Sequence, residues 1–335
     1  MLSPARICFD IVKDERPHIA LLIGAGCSKT AGIPLASEMV DDIWGEEKYA
    51  KRLIELQDDK KRSYPAVVGR LSRTEYLKLF RHSLDAAKVN LAHLCIAELL
   101  AKKVVNRILT TNFDSLLVQA CAIAGVQPAI YDCVAVPDLE PVLDDEQPAL
   151  YYLHGQSYGL RMVNTDWELK EHSSPVREVI YQSILKQTVI VVGCSAAPDG
   201  VLQHLTQVHT TGHIIWVPHT ESDALEAVAA FDKTSGTRWV LENYDADDFF
   251  HELLRALNLD RPRITYDLDG FARQVRKRIV DELPDWFPRT RAERAALASG
   301  PVAPETPGAA LPKPPPANWT TEVAGSGQVL DDNHA

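Results

Sequence analysis

HIALLIGAGCSKTAGIP, residues 18–34, runs five apolar residues into a turn that holds Gly24, Gly26 and Gly32 together with Ser28, Lys29 and Thr30. A short uninterrupted apolar run closed by a turn signal suits a strand buried on both faces, the kind found in parallel sheets. Gly24 and Gly26 carry no Cβ, so the backbone around Ala25 can approach a phosphate closely and form an anion cradle. Two phosphate motifs nevertheless fail here. A P-loop needs glycine immediately before the lysine, and Ser28 stands there. The dinucleotide fingerprint G-x-G-x-x-G needs its third glycine three residues after the second, whereas Gly32 follows Gly26 by six, and Asp41 and Asp42 sit in a helical-looking stretch instead of ending a second strand. An ATPase, a GTPase and an ordinary dehydrogenase are thereby disfavoured.

Outward from this turn, similar runs recur: RILTT (107–111), ALYYLHG (149–155), TVIVVG (188–193), HIIWVP (213–218) and TRWVL (237–241). Helical spacing separates them, notably in FDSLLVQACAIAG (113–125) and DADDFFHELLRAL (245–257). The alternation predicts an α/β fold, a doubly wound, mostly parallel Rossmann-like sheet of about six strands. About 80 residues separate the first two strands and about 30 follow His154, too many for simple loops. KYAKRLIELQ, RTEYLKLFRHSL and NLAHLCIAELLAKK make the first interval a helical insertion, at about 35–105, placed over the ligand edge of the sheet. The expected organisation is one ligand-binding domain over 1–262, a helical extension over 263–295 containing GFARQVRKRIVDEL, and a Pro/Ala/Gly-rich flexible tail over 296–335.

The formal charge of −11 provides no broad basic field, so direct binding to nucleic acid or an acidic membrane is not expected. The six cysteines are scattered without zinc-ribbon spacing, which predicts no metal site and no zinc ribbon. No signal-peptide pattern and no membrane-length apolar run is visible, so the expected location is the cytoplasm. VVGCSAAPDG lacks the second glycine of a serine-hydrolase elbow, because Ala197 occupies it. His204, His209 and His213 do not form a metal motif, since Thr210-Thr211-Gly212 argues against a helix between the last two.

Four stretches, GAGCSKTAGIP (24–34), TTNFDSLL (110–117), LHG (153–155) and VVGCS (191–195), together resemble the sirtuin superfamily in order, spacing and position at strand ends. The resemblance covers residues 18–258 and implies a fold that binds NAD and breaks its nicotinamide–ribose bond. It implies that Gly24, Ala25, Gly26 and Cys27 line the pyrophosphate and ribose, and that Ile33 and Pro34 begin a loop shielding nicotinamide. Thr111, Asn112 and Asp114 would sit beside the reacting ribose and carboxamide, His154 would be the base, and Gly193 with Ser195 would contact phosphate or ribose. Asp199, four residues after Ser195, is a further candidate for that contact. Alone, His154 is an ordinary turn histidine, and Asn112 with Asp114 an ordinary Asx turn and helix cap. Their convergence at the C-terminal ends of strands, where open α/β sheets bind ligands, favours a site.

Three departures bear on the activity: the cysteine ribbon of sirtuin deacylases is absent, GIP continues as LASEMV, and Thr111 stands where those enzymes carry glutamine. The chain in these respects resembles the divergent sirtuin-like domains of bacterial anti-phage systems. That branch implies an NAD glycohydrolase with NAD as substrate and no metal, controlled through homo-oligomerisation or a complex with a defence-system partner. An NAD-dependent deacylase or ADP-ribosyltransferase, and a non-catalytic module sensing NAD or ADP-ribose, remain the alternatives.

Overall fold

The computed structural model describes residues 4–15, 18–135, 147–157, 161–184, 187–195, 205–206, 212–231 and 237–280. The chain divides into two compact units, Met1–Ala272 and Arg273–Ala335, and the sheet and candidate site lie in the first. Asp199 and the 296–335 tail lie outside the described residues.

Helix α1 (Pro4–Glu15) leads into β1 (Ile19–Ile23), which ends at a single 3-10 turn over Ala25–Ser28. Five helices follow before the next strand: α2 (Ala36–Gly45), α3 (Glu47–Leu53), α4 (Tyr64–Val68), α5 (Arg73–Ala86) and α6 (Leu91–Ala101). Then come β2 (Arg107–Thr110), α7 (Leu116–Ala124), β3 (Ala129–Asp132), β4 (Ala149–Tyr152) and the short pair β5 (Gly155–Gln156) and β6 (Arg161–Met162). The chain continues through α8 (Asp166–Ile184), β7 (Thr188–Val192), β8 (Ile214–Val217), α9 (Glu221–Phe231), β9 (Arg238–Val240), α10 (Ala246–Ala256) and α11 (Leu268–Val280).

Seven strands form one parallel sheet in the order β3-β4-β2-β1-β7-β8-β9, with β5 and β6 as a separate antiparallel pair. The doubly wound Rossmann-like fold is therefore present, with one more strand than the six apolar runs indicate. The extra strand, β3, is an edge strand of mixed burial, and Ile130 on it is 44% exposed, so the two-sided apolar signal is missing there.

Alternation along the central strands feeds two cores. Ile19, Leu21 and Ile23 of β1 join Ile190 and Val192 of β7 and the apolar faces of α6, α7 and α10 on one side. Ala20 and Leu22 join Val189, Val191, Tyr151 and Trp216 on the other. Each of these large side chains contributes about 1.5–3 kcal/mol by leaving water, so a one-residue slip of β1 would forfeit burial on both faces at once. Register consequently fixes which residues emerge at the C-terminal edge. The helices between β1 and β2 carry a core of their own, including Met39, Ile43, Tyr49, Val67, Tyr76 and Phe80. Phe113 enters that cluster, its ring meeting Phe80 edge-on at 5.7 Å.

Candidate functional site

Strand pairing sets the first layer of the site. Ile23 pairs with Thr110 and with Val192, and Thr110 pairs with Tyr152, so Gly24, Thr111, Leu153 and Gly193 leave four adjacent strands at one level. Asn112 and His154 follow one position later. Six of the residues singled out by the sequence, Gly24, Ala25, Thr111, Asn112, His154 and Gly193, thus meet at one edge of the sheet.

The glycine turn is held by backbone. Gly24 N–H donates to Val192 O at 3.0 Å, Gly26 N–H to Gly193 O at 2.8 Å and Cys27 N–H to Gly24 O at 3.0 Å. A Cβ on Gly24 would lie 2.6 Å from Gly193 O, and one on Gly26 would lie 2.7 Å from Gly193 Cα. The space that these glycines leave open is therefore filled by the loop after β7, a packing reason for glycine that the phosphate argument does not contain. Among the described residues, Ala25 N–H has no partner. Cys27 is fully buried with its thiol on Val192 O, and burial raises its pKa, so it is a packing residue.

Asn112 is anchored at three points. Its backbone N–H donates to Thr110 Oγ1 at 3.0 Å, and its Nδ2 donates to Gly24 O at 3.0 Å and to Ser28 Oγ at 3.1 Å. Both amide protons are thereby used inward, and Oδ1 is left as an acceptor that is neither buried nor partnered among the described residues. The ability to donate, expected from the residue type, is spent on the protein itself.

Behind Asn112 lies a buried polar layer. Ser28 Oγ donates to Asp114 Oδ2 at 2.9 Å and lies 3.3 Å from His93 Nε2. Asp114, 5% exposed, uses Oδ1 to accept the Leu116 N–H at 3.0 Å, an Asx turn at the start of α7. Its carbonyl accepts the Tyr152 hydroxyl at 2.9 Å, and burial raises the Tyr152 pKa, keeping that phenol a donor. Burial also lowers the His93 pKa, against the opposing pull of Asp114 and Asp247, and the ring is neutral.

A second brace holds the turn from outside. Asp247, on the first turn of α10, accepts Thr30 Oγ1 at 2.6 Å and the Ala92 N–H at 2.5 Å. Asn90, the N-cap of α6, donates to Cys27 O at 2.8 Å and to Thr30 Oγ1 at 2.7 Å. Ser28, Asn90, His93, Tyr152 and Asp247 carry no role in the sequence reading. Ser28 lay in plain view inside the glycine turn, but the others approach from helices and strands up to 217 positions away.

His154 is 8% exposed at the turn after β4, where its carbonyl accepts the Val163 N–H at 3.0 Å and His172 Nε2 bonds the preceding Leu153 carbonyl at 3.0 Å. Ile33 is buried against Ala31 and Leu116. Pro34 lines an open cleft of about 450 Å³ with Lys29, Gly32, Glu38, Asp41 and Asp42. Glu38 closes this segment, taking the Lys29 ammonium on one oxygen and the Leu35 N–H at 2.8 Å on the other. Ser195 is exposed beyond β7. Among the described residues, no group of three or more His, Cys, Asp or Glu side chains is placed to hold a metal ion, and no helix is long and apolar enough to cross a membrane.

Residues 106–240 match a family described as SIR2-like domain, a stretch that holds Thr111, Asn112, Asp114, His154, Gly193 and Ser195. Over that stretch the chain is similar to the SIR2-like domain family, and the glycine turn after β1 lies outside the match. Similar solved structures include one described as "Structural Basis for the Mechanism and Regulation of Sir2 Enzymes", 17% identical with a TM-score of 0.41, the alignment covering 77% of this chain and 98% of that one. Another, "Structure of Sir2Tm bound to a propionylated peptide", is 18% identical with a TM-score of 0.38 over 76% of this chain and 99% of that one. No curated protein sequence matches.

Proposed function

We propose that this chain is an NAD+ glycohydrolase, cleaving NAD+ to nicotinamide and ADP-ribose as a regulated effector of anti-phage defence. The observation that carries the reading is the acceptor-only Asn112 at the strand ends: its Nδ2 is tied to Gly24 and Ser28, one position beyond the level where His154's strand also ends. Nicotinamide leaves NAD+ as a neutral molecule from a cationic linkage, so its departure needs little acid assistance. The protein must instead hold the ribose, stabilise positive charge at the anomeric carbon, and direct an acceptor to it.

Asn112 Oδ1 accepts from a ribose hydroxyl or from the attacking water. His154 takes the proton that water loses as its oxygen bonds the anomeric carbon and the carbon–nitrogen bond breaks. Water and NAD+ thereby give nicotinamide, ADP-ribose and one proton. The negative charge of Asp114, held behind Asn112, favours the oxocarbenium-like transition state, and Ala25 N–H is available to the pyrophosphate. Gly26, Gly193 and Ser195 complete the wall of the nucleotide site with Cys27 packed behind it, and Ile33 and Pro34 cover nicotinamide. Unchecked hydrolysis of NAD+ would kill the host, so a homo-oligomer or a defence-system partner controls the segment after Pro34, where Glu38 fastens Lys29 and Leu35.

Chromatographic product analysis tests the reading. The wild type, alone and in complexes recovered from its host, releases nicotinamide and ADP-ribose from NAD+, and Asn112→Ala and His154→Ala release neither. Saturable NAD+ binding with no turnover in any assembly would refute hydrolysis and favour a sensor. Products transferred to an acetylated peptide would favour a deacylase.

A further inference from the structure

His93 is 1% exposed, belongs to no motif noted in the sequence, and among the described residues its ring hydrogen-bonds Ser28. Counting protons on Ser28 fixes its state. The hydroxyl has one proton, which goes to Asp114 Oδ2 at 2.9 Å. Ser28 Oγ must then accept from both remaining neighbours, Asn112 Nδ2 at 3.1 Å and His93 Nε2 at 3.3 Å. The His93 proton therefore sits on Nε2. Its Nδ1 is a buried acceptor with no partner among the described residues, so none of them rewards the opposite tautomer. The ring's backbone N–H is held separately by Asn90 Oδ1 at 3.0 Å, so the imidazole does not serve to cap α6.

We propose that His93 is a positioning residue whose Nε2–H, acting through the Ser28 hydroxyl, sends that hydroxyl's proton to Asp114 and so holds the Asn112 amide inward with Oδ1 toward the substrate. Without the Nε2 donor, the Ser28 hydroxyl is free to turn and donate to other acceptors. Asn112 Nδ2 then loses one of its two fixed partners, and an amide rotation that presents Nδ2 to the substrate is no longer opposed. The assignment rests on the glycohydrolase reading only for the meaning of Oδ1; the proton arrangement stands by itself.

The test uses the full chain with NAD+ as the probe. Nitrogen-15 NMR of the wild type reads the His93 tautomer, and the Asn112 side-chain amide resonances read its hydrogen bonding. Two variants accompany it: His93→Gln, which keeps an N–H donor at similar reach, and His93→Leu, which removes it. The expected results are a neutral His93 ring protonated on Nε2, slowly exchanging Asn112 amide protons, kcat for His93→Gln within about threefold of wild type, and kcat for His93→Leu lower by about tenfold or more at little-changed KM. A proton on Nδ1, or equal kcat in the two folded variants, overturns the assignment. Should His93→Leu fail to fold, the wild-type tautomer and the His93→Gln amide spectrum decide. Should the wild type bind NAD+ without hydrolysing it, the glycohydrolase reading fails while the NMR results still judge His93.

Discussion

Replacing Gly193 by alanine probes whether the turn after β1 is built by loop packing. Gly193 has φ +69°, in the left-handed region, and a Cβ there would lie 2.5 Å from Cys27 N and 2.9 Å from Cys27 Sγ. The backbone conformation costs an alanine about 1–2 kcal/mol and the overlap about 1–3 kcal/mol, for a total of roughly 2–5 kcal/mol. That is a large share of the ~5–15 kcal/mol by which folded domains are stable. With a urea m-value at the upper end of the ~1–3 kcal/mol/M range, the midpoint should fall by about 0.7–1.7 M. Gly45→Ala is the control: nothing lies within 4 Å of its Cβ position at the end of α2, and the midpoint should hold or rise slightly. Because Gly193 O accepts the Gly26 N–H, and Gly24 O accepts Asn112 Nδ2, the displaced loop should also weaken NAD+ binding measured by calorimetry below the variant's melting range. A Gly193→Ala midpoint within about 0.2 M of wild type would refute the packing argument.

Asp247→Asn should cost about 1–3 kcal/mol by urea unfolding, since an amide nitrogen replaces one of two oxygens that each accept a donor, Thr30 Oγ1 or the Ala92 N–H. Asn112→Asp should abolish NAD+ cleavage even in folded protein, because a carboxylate oxygen would face Gly24 O; turnover above about one-tenth of wild type would argue against the inward amide. All six cysteines are buried and free, and burial pushes Cys8, Cys95, Cys121 and Cys133 up to about 12, so a thiol reagent at pH 8 should label none natively and six in denaturant. His93 has a lowered pKa when folded, so below about 6.5 the unfolded chain takes up a proton that the folded chain refuses, and stability falls as pH falls. Unfolding free energies from urea titrations between pH 7 and 5 should therefore drop more steeply in wild type than in His93→Gln, by at most about 1.4 kcal/mol per pH unit; parallel curves would contradict a neutral buried ring.

The parallel sheet was legible because five of its strands are buried along their whole length and the edge strand β9 still reads as the apolar run TRWVL, whereas β3 escaped as a half-exposed edge strand. The interval of about 30 residues after His154, too long for a simple loop, holds helix α8 from Asp166 to Ile184. In the candidate site, the strand-end residues stood out through local signals: glycines at a turn, Asn112 and Asp114 around a single phenylalanine, and His154 before Gly155. His93 and Asp247 gave no such signal. His93 is one residue of an apolar helix and Asp247 an ordinary acidic residue in a first helical turn, and the meaning of each comes from a hydrogen bond across 65 or 217 positions.

Asn112, Phe113 and Asp114 show how one short stretch serves three layers. Phe113 is drawn into the core of the inserted helices beside Phe80, and its carbonyl takes the Ser157 N–H at 2.9 Å. With that ring fixed, Asp114 is carried inward, where Ser28 and Leu116 N–H each occupy one of its oxygens. Asp114 therefore reaches a bound ribose through its field and through Ser28 and Asn112, while Asn112 alone of the three keeps a side-chain polar atom without a partner among the described residues. The chemistry proposed for this edge consequently depends on a phenylalanine that touches none of the reactants. It depends equally on a buried histidine that the sequence presents as one more residue of an apolar helix.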